Sequence, residues 1–322
     1  MWRRNLYARI DMAIDFLLGH GRQWRRSVLK RLIAVGVFRQ HPPKPLRLPK
    51  TISANLQSGL RLPTISIVTP SLNQGKFIER TIASVTSQQY PGLEYIVQDG
   101  GSTDGTLDFL KKHEPPSLRW FSEADSGQSN ALNRGFRRTS GEIMAWLNSD
   151  DLILPGTLQY VGTFFARNPN VDVIYSHRIV IDEDDQEIGR WILPPHDYEV
   201  TRWTDFVPQE TMFWRRAIWD RSGGTIDETL QFAMDWDLIL RLQDIGARFR
   251  RVRTFLAAFR AHPDQKTSAR MKDLGTPEMN RLRDRVHGRA VTEREGLPTI
   301  ARYLIKHIIL QVPYRLGLTY RR

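Results

Sequence analysis

The stretch EIMAWLNSDDLILPG, Glu142 to Gly156, runs from an apolar segment, Ile143 to Leu147, straight into Asn148, Ser149, Asp150 and Asp151. A short continuous apolar run reads as a strand buried on both faces. Its end carries two adjacent carboxylates, which repel each other when close, so that one stays protonated unless a cation is present. Oxygen-only ligands suit Mg²⁺ or Mn²⁺, above all where a diphosphate completes the coordination. The other reading is a helix N-cap, with Asp150 or Asp151 capping a helix that begins near Pro155.

Working outward toward the N-terminus, the same grammar repeats. TISIVTP (Thr64–Pro70), LEYIVQD (93–99) and LRWFSEAD (118–125) read as strands. Helical patterns follow each of them: GKFIERTIASVTSQQ, with Phe77, Ile78, Ile82 and Val85 at helical spacing, then TDGTLDFLKKHE, then GQSNALNRGFRRT. Alternating strands and helices with continuous apolar strands predict a parallel sheet covered on both faces. Ligands in such sheets sit outside the carboxyl ends of the strands. The polar clusters lie there: Ser71 and Asn73, then Asp99–Asp104, then Glu123–Gly127 with Asp125, then Asn148–Asp151. In QDGGSTDGT, Gly100 and Gly101 permit close backbone approach and Ser102 or Asp104 can cap the next helix. Asp99 can accept a hydrogen bond from a uracil imide or a ribose hydroxyl, but the spacing is not that of a dinucleotide or phosphate-loop fingerprint.

The 322 residues, 40% of them hydrophobic, suffice for one large α/β domain with appendages. With no cysteine there is no disulfide framework, no thiolate nucleophile and no zinc site of the cysteine type. The net charge of +12 is unevenly placed: residues 1–50 hold 12 Lys and Arg against 2 Asp, residues 271–322 hold 11 against 5, and residues 51–270 have a net charge of −4. A nucleic-acid reader needs its cations on the folded binding face, so this distribution argues against one. Both termini instead interleave cations with apolar residues at helical spacing: Trp2, Leu6, Ile10, Ile14, Leu17, Trp24 and Leu32 in the first, Ile300, Leu304 and Ile308 in the last. Neither has the ~18 consecutive apolar residues of a spanning helix. Asp11 and Asp15 interrupt the first, and no small-residue cleavage site follows, which argues against a secretory signal. Such helices suit an anionic membrane surface; packing on the core or on another subunit is the alternative.

Taken together, ISIVTPSLNQGKFIERTIASVTSQQYPGLEYIVQDGGSTDGT, SEADSGQSNALNRGF and GEIMAWLNSDD resemble the nucleotide-sugar half of a family 2 glycosyltransferase of the GT-A fold, of the bacterial polysaccharide-biosynthesis type. The resemblance extends over about Ile65–Ser268 and includes PQETMFWRRAIWDRSGGTIDETLQFAMDWDLILRL on the acceptor side. It implies that Pro70, Ser71 and Asn73 surround the base, that Asp99 reads it, and that Gly101, Asp125, Asn148 and Asp151 help hold the sugar diphosphate. It further implies Asp150 as the chief metal ligand, with Mg²⁺ or Mn²⁺ as cofactor, and Asp235 as the catalytic base. His262, in FRAHPDQKTS, would approach the metal or diphosphate, the alternative being an exposed loop histidine. Three positions depart from the pattern: Asn148 replaces an acid of the commoner D-x-D motif, Met234 stands where Glu is frequent, and Leu72 where an aromatic often stacks on the base.

The chemistry is consistent. An attacking hydroxyl must lose its proton to a nearby base, and a leaving nucleoside diphosphate gathers negative charge that a divalent cation stabilises. Asp235 is alternatively the N-cap of its helix, Asp237 two residues on is expected to be structural, Glu210 to hold the acceptor or orient a base, and DEDD (182–185) to be a solvated turn. The expected organisation is an amphipathic extension and Pro-rich link over 1–50, one domain over 51–270 (nucleotide-sugar half 64–155, acceptor half 156–270) and a basic helical extension over 271–322. The expected function is metal-dependent transfer from a nucleoside-diphosphate sugar to a lipid-linked or surface-polysaccharide hydroxyl, with inversion, at the cytoplasmic face of the membrane. A non-catalytic carbohydrate- or nucleotide-binding module that assembles a membrane complex is the alternative, favoured by Asn148 and Met234.

Overall fold

The computed structural model describes residues 33–48, 59–113, 115, 117–263, 265 and 270–318; the first amphipathic segment, up to Leu32, lies outside the described residues. Strand β1 (Ile65–Ser71) is buried along its whole length because it pairs on both edges, in parallel, with β2 (Leu93–Asp99) and β4 (Ile143–Trp146). Strand β3 (Leu118–Ser122) adds in parallel to β2. Helices α1 (Ile78–Thr86), α2 (Thr106–Lys112) and α3 (Gln128–Phe136) make the crossovers, α1 turning Ile78, Thr81, Ile82 and Val85 inward. The order β3-β2-β1-β4 reverses direction beside β1, which opens a crevice at the carboxyl ends of these strands.

The second half comprises β5 (Leu152–Ile153), α4 (Thr157–Arg167), β6 (Val173–Ile181), β7 (Glu187–Trp191), α5 (Tyr198–Thr201), β8 (Phe213–Arg215), α6 (Arg216–Arg221), α7 (Met234–Asp244), β9 (Phe249–Arg260), α8 (Thr276–His287) and α9 (Leu297–Arg315). Strand β8 is antiparallel to both β4 and β6, β6 runs parallel to β9, β5 is antiparallel to β9, and β7 hangs on β6. The sheet is therefore mixed, its first four strands parallel as the strand–helix alternation requires.

Two strands stop earlier than their apolar pattern suggests. Strand β3 ends at Ser122 and β4 at Trp146, where the chain closes a turn with the Asp151 N–H on the Asn148 carbonyl (3.1 Å). The helix-cap reading of Asp150 and Asp151 does not hold: the N-cap of α4 is Gly156, at φ +81°, and β5 intervenes. Nor is DEDD simply a solvated turn. Fully buried Arg260 donates to the Asp182 carbonyl (2.9 Å) and pairs with Asp185, which also meets Arg80 (3.1 Å).

The described parts of both extensions pack on this body. The N–H groups of Ala34 and Val35 donate to His307 Nε2 of α9 (3.1 and 3.4 Å), and His307 Nδ1 donates to the Ile192 carbonyl (2.8 Å). Burial holds the His307 imidazole down at about 4, so it is neutral and free to accept at Nε2. Lys44 bridges to Glu187 of β7, and Phe38 stacks on Trp191 at 5.4 Å. No helix among the described residues is long and apolar enough to cross a membrane.

Candidate active site

At the carboxyl ends of β1 and β4 lies a cavity of about 760 Å³. One wall, from the first half of the chain, holds Pro70, Ser71, Asp125, Asn148 and Asp150; the far wall, from the second half, holds Asp205, Glu210 and Asp235. Ser71 Oγ is buried in the first wall without a hydrogen-bond partner. A buried hydroxyl is costly to leave unpaired.

The turn after β4 is held from two sides. Thr81 of α1 donates to the carbonyls of Ser149 and Asp151 (2.9 Å each), and Arg260 donates through Nε to the Asp150 carbonyl (2.7 Å) and through its backbone N–H to Asp151 Oδ1 (2.8 Å). Asp151 thus turns inward, and burial, with the charges of Asp150 and Glu210, raises its carboxyl well above the usual range. Asp150 instead faces the cavity, its Oδ2 3.0 Å from His262 Nε2, while the His262 ring packs on Phe77 at 4.9 Å. His262 is therefore not an exposed loop histidine. Asn148 accepts from Gln128 Nε2 (2.9 Å) and extends its own amide toward Asp151 and Gln209 (3.4 Å each).

Asp99, Asn73 and Gly101 do not line the cavity. Asp99 is fully buried, its oxygens accepting from the N–H groups of Gly101 and Ser102 (2.9 Å each) and the hydroxyls of Ser102 (2.5 Å) and Ser122 (2.7 Å). In this geometry its lone pairs organise the loop after β2. Gly101 turns that loop at φ +89°. Asn73, at φ +53°, accepts from the Thr103 N–H (2.9 Å) and donates its own N–H to Ser102 Oγ (2.7 Å), tying the first strand end to the second. A Cβ on Gly100 would stand 2.6 Å from Asp125 Oδ2, so the Asp125 carboxylate would have to shift to admit one. Leu72 sits half-exposed at the mouth.

On the far wall Asp235 is the second residue of α7. It is not the N-cap, which is Ala233, and its Oδ1 accepts from the Trp236 N–H (2.8 Å). The capping anion comes from α8: the buried Glu278 carboxylate accepts the N–H groups of Gln231, Phe232 and Ala233 at 2.8–2.9 Å. Burial raises the Asp235 carboxyl above its ordinary range, and the Glu210 charge adds to this while the Trp236 N–H and Arg178 oppose it. Neighbouring Asp205 is raised by burial and by the Asp235 charge. Glu210 is committed elsewhere, gripped by both ends of the Arg178 guanidinium (2.8 and 2.7 Å). That guanidinium lies 4.6 Å from the ring centres of both Trp191 and Phe259. Asp237 faces away and pairs with Arg241 (2.8 Å) and Arg285 (2.6 Å), a structural role. Met234 is buried and takes the Ser129 hydroxyl on its sulfur (3.2 Å).

Sequence reasoning missed Arg178, Asp205, Gln209, Arg260 and Glu278. Only Gln209 stood beside a flagged residue; Arg178, Arg260 and Glu278 lie in ordinary strand or helix patterns, and Asp205 in the loop after α5.

Residues 66–225 match the model of glycosyl transferase family 2. The chain belongs to that family. This family 2 chain is 29% identical over 218 residues to the chondroitin synthase of Escherichia coli, covering 66% of itself and 31% of the relative. It is 40% identical over 92 residues to the putative teichuronic acid biosynthesis glycosyltransferase TuaG of Bacillus subtilis, covering 28% of itself and 36% of that protein. It thus spans between about a fifth and two fifths of the length of these and other curated relatives it matches. Among solved structures it resembles S. aureus TarS 1-349 in complex with UDP-GlcNAc, with TM-score 0.59 and 19% identity over 80% of this chain and 76% of that one. It also resembles the mannosyltransferase PcManGT from Pyrobaculum calidifontis in complex with GDP-Man and Mn²⁺, with TM-score 0.55 and 18% identity over 98% and 82%. The fold is that of the GT-A glycosyltransferases.

Among the described residues no three acids or histidines converge as a complete metal cage. The Asp150–His262 pair still fits Mg²⁺ or Mn²⁺, because these cations accept few protein ligands when phosphate oxygens and waters fill the remaining positions.

Proposed function

We propose that this family 2 chain transfers a sugar from a nucleoside-diphosphate sugar to the hydroxyl of a lipid-linked or surface-polysaccharide acceptor, by direct displacement with inversion. The observation carrying this reading is one cavity with a buried unpartnered Ser71 hydroxyl and the Asp150–His262 pair on one wall and the Asp235 carboxylate on the other. The UDP-GlcNAc bound by TarS, the GDP-Man and Mn²⁺ bound by PcManGT, and the polysaccharide products named for the curated relatives support it.

In this reading Ser71, Asp125 and Asn148 hold the donor, and Asp99, Asn73 and Gly101 shape the loops behind the nucleoside. Asp150 and His262 hold the cation, which when bound neutralises charge on the leaving diphosphate. The Asp235 carboxylate takes the proton from the acceptor hydroxyl as its oxygen bonds to the anomeric carbon. The bond to the diphosphate oxygen breaks with its electron pair leaving on the nucleotide, and one displacement inverts the centre. A carboxyl raised by burial is the better base near neutral pH. The exposed side of α9, with Arg302, Ile305, Lys306 and Ile309, rests on an anionic membrane at its cytoplasmic face.

The test is to screen UDP- and GDP-sugars for Mn²⁺-dependent nucleotide release. Asp235→Asn should cut transfer about 10²- to 10⁴-fold while leaving donor-dependent thermal stabilisation in place. Normal turnover in that variant removes Asp235 as the base, and no release from any donor favours the non-catalytic alternative.

A further inference from the structure

We infer that the acceptor is an amphiphile whose aliphatic chain lies in an apolar chamber built beside Asp235 by the two terminal extensions. This rests on the transferase reading above. Beyond Asp205 the cavity is walled by Val35 from the N-terminal segment, Met271, Met279 of α8, and Ile300 and Leu304 of α9. The Phe206–Tyr303 contact, 4.4 Å between ring centres, joins that wall to the residue next to Asp205.

The choice between a polysaccharide strand and an aliphatic chain follows from what is left uncovered. Sugar rings bind proteins by stacking on aromatic faces and by dense hydrogen bonding. Here the Trp191 ring has Phe38 stacked on it at 5.4 Å and Arg178 at 4.6 Å, and Phe259 likewise meets Phe38 (5.1 Å) and Arg178 (4.6 Å). These two aromatic faces are engaged within the protein, and the wall formed by Val35, Met271, Met279, Ile300 and Leu304 is aliphatic and thioether surface. Such a surface gains by covering with an apolar group, and two methionines adapt to a flexible chain. An independent observation points the same way. The helix that lines the chamber with Ile300 and Leu304 carries on its outer side Ile305 and Ile309, and the turn that follows it carries Leu316 and Leu318, all 44–73% exposed, beside Arg302, Lys306 and Arg315. One helix thus faces both the chamber and a surface fit for a lipid headgroup layer, so an acceptor chain has a short route from bilayer to base.

The experiment titrates the full chain, loaded with UDP and Mn²⁺, with methyl, butyl, hexyl and octyl β-D-glucopyranosides below micellar concentration, following heat of binding. Affinity should rise about two- to fourfold per methylene until the chamber is filled. Met271→Gln and Ile300→Asn, both at partly exposed wall positions and each checked for an unchanged melting profile, should each flatten that dependence. Affinity independent of chain length in the unmodified protein, or a glucose oligosaccharide binding more tightly than the octyl glycoside, overturns the inference. Because this readout needs no turnover, it is separate from nucleotide release, whose failure would remove the transferase reading instead.

Discussion

His307 offers a stability test that follows directly from its geometry. It is fully buried, accepts the N–H groups of Ala34 and Val35, and donates to the Ile192 carbonyl. Its imidazole is held at about 4 by burial, against an ordinary value of 6.5. That difference corresponds to roughly 3 kcal/mol favouring the neutral form in the folded state. The sign is fixed by linkage. Between pH 6.5 and 4 the unfolded chain binds a proton that the folded chain refuses, so this stability is fully present above pH 6.5 and is lost as pH falls toward 4. His177 and His196 are also lowered by burial and act in the same direction, so a single-site difference is needed. His307→Gln keeps an acceptor and a donor but does not titrate. Urea unfolding, followed by tryptophan fluorescence at pH 7, 6, 5 and 4, should show the wild type's advantage over the variant shrinking by roughly 3 kcal/mol across the range. Parallel curves would mean that His307 is not held neutral between the N–H groups of Ala34 and Val35 and the Ile192 carbonyl, and that α9 is not joined to the N-terminal segment through it.

Asp150→Ala should abolish the Mn²⁺-dependent rise in melting temperature with a nucleoside diphosphate, a rise worth about 2.7 kcal/mol at a hundredfold excess over Kd in the unmodified protein; an undiminished rise places the cation elsewhere. Glu278→Gln should lower kcat with little change in donor KM and cost on the order of 1–3 kcal/mol in urea unfolding, since one amide oxygen must replace two carboxylate oxygens serving three N–H groups. Ile305→Glu combined with Ile309→Glu should abolish co-flotation with phosphatidylglycerol vesicles while leaving stability nearly unchanged, because both side chains are exposed.

What was legible in the sequence was the part governed by local pattern. Apolar runs of four to seven residues ending in polar clusters gave away β1, β2 and β4 and the crevice at their ends, because a strand covered on both faces has no polar face to display, while the edge strand β3 was legible from the strand–helix alternation. The order of those clusters carried the resemblance. The far wall was less readable, since it is assembled by long-range partners. Arg178 on β6 meets Glu210, Glu278 on α8 caps the helix bearing Asp235, and Arg260 on β9 positions the turn after β4. Each sits in a stretch whose periodicity is that of an ordinary element, and no spacing announces a contact 32, 45 or 110 residues away. The hydrogen bonds that tie Asp99 to its own loop were hidden for the converse reason. An acid at a strand end beside two glycines looks available, yet the loop it heads turns its own N–H groups and hydroxyls onto it.

Asn148, the departure that most invited doubt, has a physical reason in this arrangement. Asp151 is already raised by burial and by the charges of Asp150 and Glu210. A third carboxylate at position 148 would stand where the Asn148 amide now reaches toward Asp151 Oδ2 at 3.4 Å, and would add repulsion where the amide supplies a donor. Gln128 and Gln209 continue that amide across the cavity floor, so the pattern is a neutral ladder and not a damaged acidic motif. With the neighbouring position neutral, the charge that a cation would meet is concentrated on Asp150, and in the proposed reading His262 would supply a second ligand in place of an acid at position 148. Asn148→Asp should then raise repulsion in the metal-free protein, lowering its melting temperature, while Mn²⁺ recovers more of that loss than it adds to the wild type. A variant as stable as the wild type without Mn²⁺ would show that the amide is not there to relieve Asp151.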